Sequence, residues 1–149
     1  MGTGWRVDAG FDLDEFLQRP LIARVATAGP TVRPVWYLWE DRVFWWLTGG
    51  WSRLPVIVER DPRVAVVVDT CNLQTGQVLQ VTARGSAELL AFDASRARRW
   101  GRRYLGAHEG RWDRFEHGVF DDPSTRFVRV VPVALRARDL SYEPAAPEA

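Results

Sequence analysis

A mainly β domain, built as a small antiparallel barrel of six or so strands with few and short helices, is what this sequence predicts. Three observations lead there. Segments rich in β-branched and aromatic residues recur at 21–28, 32–39, 42–48, 63–69, 78–90 and 125–140. Turn signals separate several of them, namely Gly29-Pro30, Glu40-Asp41 and Thr75-Gly76-Gln77. Only one segment, 93–106, carries a clear helical stripe. Closing the strands into a barrel leaves no exposed sheet edge.

Composition narrows the function classes. At 149 residues and 46% hydrophobic, the chain suits one domain with a real core. Its expected limits are an arm over 1–11, a domain over 12–140 and a disordered Pro/Ala-rich tail over 141–149. No stretch approaches the ~20 apolar residues of a membrane span, and the N-terminus lacks the basic start and apolar run of a secretion signal, so a cytoplasmic protein is expected. Cys71 is the only cysteine, which excludes an intrachain disulfide and a cysteine-built zinc site. The net charge of +1 argues against a strongly electrostatic nucleic-acid binder. All 20 basic residues are Arg, so lysine Schiff-base chemistry is excluded.

In order along the chain, Asp12 caps a short helix ending at Arg19, with Glu15 three residues on and Leu13, Phe16 and Leu17 on one side. Pro20 ends it, and a strand follows to Ala28. After the central hairpin, Arg63 to Asp69 is nearly all apolar, as a strand covered on both faces requires. Gln80 interrupts the next strand and points either at a ligand or at solvent. Asp93 caps the longest helix and Gly106 stops it, with Ala97, Trp100 and Tyr104 on one stripe. Arg96, Arg99 and Arg103 form another face, read as solvated, or as a receptor for an acidic ligand tail or a partner's carboxylates. Residues 107–123 read as a loop anchored by Trp112, Phe115 and Phe120. Pro132 implies an edge or bulge in the last strand. His108 and His117 read as surface residues, and no metal motif or nucleophile triad is present.

The stretch from Thr31 to Arg53 organises the rest. With Glu40-Asp41 as the hairpin loop, residues whose numbers sum to 81 face each other, and Arg33 stands opposite Thr48. Gly49-Gly50 then turns the chain, Ser52 serves as N-cap, and Arg53 opens a short helix ending near Arg60. A helix start offers free amides, so Arg33, Thr48, Ser52 and Arg53 converge on an anion, most naturally a phosphate. Taken singly each residue has an ordinary structural use, and it is their joint placement that suggests a phosphorylated cofactor with a flat ring. Five of the eight Trp residues stand at 36, 39, 45, 46 and 51. Most are expected to fill the core or an interface, with one or two left for ligand stacking.

Arg33-Pro34-Val35-Trp36, Trp46-Leu47-Thr48, Ser52-Arg53 and the run Asp61-Pro62-Arg63-Val64-Ala65 resemble the pyridoxamine 5'-phosphate oxidase-like family of FMN-binding split barrels. The resemblance covers residues 12–140 and implies a six-stranded split barrel, a homodimer and FMN at the subunit interface. It implies that Arg33, Thr48, Ser52 and Arg53 hold the phosphate. The backbone around Pro34, Val35, Trp36 and Leu47 then lies against the ring, with Gln80 approaching from another strand. Leu54 stands where the family often has Lys, and the Arg and His pattern of true pyridoxamine phosphate oxidases is not found at 125–140. The deazaflavin coenzyme factor 420 is the alternative cofactor. A flavin or deazaflavin oxidoreductase acting on a small organic molecule is therefore expected, with no catalytic side chain singled out. A non-enzymatic flavin carrier is the second reading, and a barrel stacking single-stranded nucleic acid the third.

Overall fold

The computed structural model describes residues 4–145. Seven strands and three α-helices follow one another as β1 (Trp5–Val7), α1 (Leu13–Gln18), β2 (Ile22–Thr27), β3 (Thr31–Glu40), β4 (Val43–Thr48), α2 (Leu54–Arg60), β5 (Arg63–Cys71), β6 (Val78–Ala91), α3 (Ala94–Leu105) and β7 (Arg126–Asp139). The sheet order is β1-β7-β4-β3-β2-β5-β6, and a further β6–β7 pairing closes β2 to β7 into a six-stranded antiparallel barrel. β1 lies outside the closed ring, parallel to β7, with Trp5 opposite Leu135. The segment expected as a loose arm thus supplies a strand; residues 1–3 lie outside the described residues. At the other end, Tyr142 N–H donates to Gly76 O at 2.9 Å, so the chain is still tied down inside the expected tail, whose residues 146–149 lie outside the described residues.

Strand alternation explains the core. Val25 on β2, Tyr37 and Trp39 on β3, Phe44 and Trp46 on β4, Val66 and Val68 on β5, and Val128 and Val130 on β7 all point inward and are buried. On β5 the alternate residues Ala65 and Val67 are only partly buried. That strand is covered on one face rather than two, and its apolar outer row is a property of the barrel surface. Pro132 sits where expected: Gly85 pairs with Pro132 and Arg84 with Ala134, which leaves Val133 as the extra residue of a bulge.

A second core lies outside the barrel wall. The outward residues Leu38, Trp45 and Phe127 are covered by Ala97 and Trp100 of α3. Asp93 caps this helix by accepting the Arg96 N–H at 3.1 Å, and Gly106 ends it at a φ of 86°. Trp112 is buried against Gly101, where a Cβ would stand 2.8 Å from the indole, so a mid-helix glycine makes its seat. The arginine face of α3 is not a free solvated row. Arg96 lies 3.7 Å over the Trp45 ring, Arg99 donates to Glu40 at 3.0 Å, and Arg103 donates to the carbonyls of Leu17 and Gln18 at 2.8 and 2.7 Å. These three side chains fasten α3 to the hairpin and to the C-terminal end of α1.

The central hairpin turns one residue later than expected. Glu40 pairs with Val43, and Asp41 and Arg42 carry φ values of 55° and 61°, the left-handed pair that a tight type I′ turn requires. Facing residues sum to 83 rather than 81, as Tyr37 opposite Trp46 shows. A shift of two preserves side-chain parity, so Arg33 and Thr48 stay on the same face although they are no longer directly opposed.

Candidate functional site

Beyond the Tyr37–Trp46 pair, β3 and β4 part company. Residues 31–36 of β3 continue to pair with β2, while Leu47 and Thr48 pair with Phe127 and Arg126 of β7. The fork opens a cavity of about 660 Å³. Both rows of side chains reach it. Arg33, Val35 and Thr48 come from the inward row, and Pro34, Trp36 and Leu47 from the outward row. The loop before α2 adds Trp51, Ser52 and Arg53, and the far wall is Leu54, Trp100, Phe115 and Val119. Eight of the nine residues expected at the site therefore meet in one place. Gln80 does not: it stands on β6, paired with Asp69 and Arg138, and lines no part of this cavity.

The charges at the site are of one sign. Among the described residues, two guanidinium groups, Arg33 and Arg53, line the cavity, and no carboxylate does. Arg33 donates from Nη1 to Ser52 Oγ at 2.9 Å and from Nη2 to Thr31 Oγ1 at 3.4 Å, while its buried Nε has no partner. Thr48 is 2% exposed and its Oγ1 also lacks a partner. Among the described residues, other buried side-chain donors without partners are Tyr37 Oη, Trp46 Nε1, Thr70 Oγ1, Trp112 Nε1 and the Nε atoms of Arg96, Arg103 and Arg129. Arg33 and Thr48 differ from these in that their residues line the cavity, so a small movement of either side chain is enough to bring an unpaired donor to a ligand oxygen there.

One part of the expected cradle is weaker than its sequence suggests. α2 runs only from Leu54 to Arg60, and Arg53, not Ser52, occupies its N-cap position without a side-chain cap bond. Ser52 Oγ accepts the Leu54 N–H at 3.1 Å, and Pro55 has no N–H to offer. The anion-binding capacity lies in side chains, with little from the helix start. Those side chains fit a phosphate: two cations, the Thr48 hydroxyl and the Ser52 hydroxyl in a pocket free of negative charge.

Apart from Trp36, the aromatic wall was not legible as part of a site. Trp36 stacks on Tyr104 at 4.8 Å and 11° and on Phe115 at 5.7 Å and 28°, so its ring is engaged with the protein. Phe115 and Val119 lie on a π-helical turn within the segment expected as an irregular loop. Trp100 anchors the same wall by donating from Nε1 to Trp36 O at 2.9 Å. The stripe of α3 announced Trp100 as a core residue, but no spacing pattern tied it to residues 33–53. Among the described residues, Asp113, Glu116 and His117 bring ligand atoms within 4.8 Å of one another on the surface, away from this cavity's lining.

Residues 12–139 match the family model described as pyridoxamine 5'-phosphate oxidase. No protein of curated function matches the sequence. Among solved structures, a conserved hypothetical protein from Mycobacterium tuberculosis is similar over 96% of this chain and 98% of its own, with a TM-score of 0.72 and 19% identity. An FAD-binding protein from Mesorhizobium loti is similar over 85% and 91%, at a TM-score of 0.60 and 22% identity. A factor 420 reductase is similar over 86% and 97%, at 0.59 and 21%. At such identities the likeness is one of fold.

Proposed function

The chain belongs to the pyridoxamine 5'-phosphate oxidase-like family of split barrels, and on that premise we propose that it is a flavin-dependent oxidoreductase whose cofactor phosphate is held by Arg33, Thr48, Ser52 and Arg53. The observation that carries this reading is the cavity at the β3–β4 fork, with two guanidinium groups, a buried unpaired hydroxyl and no carboxylate. Two structural neighbours, an FAD-binding protein and a factor 420 reductase, agree with a flavin-type group.

A bound flavin supplies hydride chemistry, and the protein supplies binding, orientation and exclusion of water. Arg33 and Arg53 provide the positive charge that a phosphate dianion needs. Thr48 Oγ1 donates to a phosphate oxygen. Ser52 Oγ already accepts from Arg33 and Leu54, which leaves its own proton to donate. Pro34, Val35, Trp36 and Leu47 border the ring, and Trp100, Phe115 and Val119 keep water from that end. Both cations of the cavity serve the cofactor phosphate, so a second phosphate, as on a vitamin B6 substrate, has no counter-charge from the same protomer. The proposed substrate is a small organic molecule.

FMN is the preferred cofactor and the deazaflavin coenzyme the alternative. The acidic tail of the latter loses its expected receptor, because Arg96, Arg99 and Arg103 are already engaged within the chain. A homodimer is part of the same proposal. Val32, Val131 and Val133 are 69%, 46% and 68% exposed on the barrel surface, and Gln80 takes part only if a second copy brings it to the cavity. A monomer by light scattering at micromolar concentration removes that element.

A second reading, a flavin carrier without turnover, has its own observation: no Asp, Glu, His, Cys, Tyr or Lys lines the cavity, so no side chain there is a ready proton donor or acceptor. Titration of the purified protein with FMN and with the deazaflavin, followed by quenching of cofactor fluorescence, tests the binding. FMN saturating at one site per chain supports the proposal, and no change with either cofactor refutes it. Failure of the loaded protein to turn over with any electron donor selects the carrier.

A further inference from the structure

The flavin reading leaves Trp51 without a role, and the geometry of that residue is unlike that of the other tryptophans. Trp39, Trp45, Trp46, Trp100 and Trp112 are buried. Trp36 is stacked on Tyr104 and Phe115, and Trp5 packs 6.3 Å from Trp39 under the guanidinium of Arg42. Trp51 is 52% exposed, and among the described residues it has no ring–ring or cation–π partner. Of the exposed large hydrophobic side chains among those residues, it alone lines the cavity.

Its placement is held from three directions. Ser52 N–H donates to Gly49 O at 3.0 Å, closing a turn that carries Trp51. Gly50 N–H donates to Ser124 Oγ at 2.8 Å, and Ser124 is itself fixed by Asp122, which accepts its hydroxyl at 2.6 Å and its N–H at 2.8 Å. The six-membered ring of the indole rests on Gly49, where any Cβ would collide with it. Gly49 is therefore a seat for the ring, and the protein holds a large apolar surface half open at the cavity mouth. Immediately after it in sequence come Ser52 and Arg53, two members of the phosphate cradle.

We propose that Trp51 is the stacking platform for the planar ring of the ligand whose phosphate is held by Arg33, Thr48, Ser52 and Arg53. Trp36, Trp100 and Phe115 are packed on one another with centroids 5.4 to 5.7 Å apart, and Leu47 and Val119 offer apolar edges without a π-face. An indole fixed beside a phosphate cradle meets a ring joined to that phosphate by a short chain, and offset stacking is the arrangement its quadrupole favours.

FMN and riboflavin separate this claim from the flavin reading on which it rests, since they share a ring and differ by the phosphate. Dissociation constants are measured for both, with the wild type and the Trp51→Ala, Trp51→Phe, Gly49→Ala and Arg53→Ala variants. Trp51→Ala is expected to weaken both ligands by the same factor, about tenfold or more, as for a base losing an aromatic platform. Trp51→Phe restores most of the loss, Gly49→Ala reproduces it, and Arg53→Ala weakens FMN alone. The emission of bound FMN, quenched by a stacked indole, rises in Trp51→Ala. Unchanged affinity for both ligands, or a loss confined to FMN, overturns the stacking role and leaves the flavin reading standing. A wild-type protein that binds neither ligand overturns both.

Discussion

Arg33 donates from Nη1 to Ser52 Oγ at 2.9 Å, and this one bond joins the part of β3 that has left β4 to the loop that leads into α2. Ser52 also accepts the Leu54 N–H, so both of its lone pairs are used and its proton is left to donate. A cation and a hydroxyl donor thus stand together before any ligand arrives. Preorganisation of this kind reduces the entropy lost on binding.

Thr48→Val separates the needs of binding from those of stability. The Thr48 hydroxyl is buried without a partner, and such a group costs about 1–3 kcal/mol. Replacing it with a methyl group of similar size is expected to raise the melting temperature of the ligand-free protein while weakening FMN. Calorimetry and a binding titration on one preparation read both signs. A fall in both quantities means that the hydroxyl has a structural partner and is not waiting for a ligand.

How much of this was legible in the sequence depends on the range of the interaction. The strands, and the meeting of Arg33, Thr48, Ser52 and Arg53 at one cavity, were legible because β-branched runs, Gly49-Gly50 and Ser52-Arg53 are local signals. The hairpin turn was misplaced by one residue because Asp41-Arg42 is not a usual type I′ pair, yet parity survived because the register moved by two. β1 was missed since a three-residue strand is shorter than any periodicity test. Phe115, Val119 and Trp100 reach the cavity only through tertiary packing, and nothing in residues 107–123 announces that. Gln80 shows the converse: its strand was legible, but which end of the barrel it faces was not.

Tyr104→Phe tests the clamp between α3 and β3. The Tyr104 hydroxyl donates to Leu21 O at 2.7 Å and accepts the Tyr37 N–H at 3.0 Å, filling the place where β2 and β3 separate. Its removal leaves a backbone N–H and a carbonyl unpaired, and a loss of about 1–3 kcal/mol is expected. Chemical denaturation reads the loss, and faster hydrogen exchange at Tyr37 locates it. Wild-type stability in the variant means that water or the backbone replaces the hydroxyl at no cost.

Acid should loosen α3 through Asp93. The Arg96 N–H that it accepts, helped by the charges of Arg96 and Arg99, holds this carboxyl below the usual carboxylate range. A carboxyl depressed in the folded state contributes in full above the unfolded value of about 3.9 and loses that contribution as pH falls through the folded value. The melting temperature of the wild type should therefore exceed that of Asp93→Asn by a constant margin at neutral pH, and the margin should shrink below about pH 4. A margin that does not change with pH assigns the cap no electrostatic part.

The central claim is that Arg33 and Arg53 recognise a phosphate, and the ratio of FMN to riboflavin affinity tests it most directly. The wild type is expected to prefer FMN, and Arg33→Ala and Arg53→Ala are each expected to lose about 1–3 kcal/mol of FMN binding, the usual worth of a charge-assisted hydrogen bond, with riboflavin little affected. A wild type that binds the two ligands equally, or variants that keep its preference, would contradict the account.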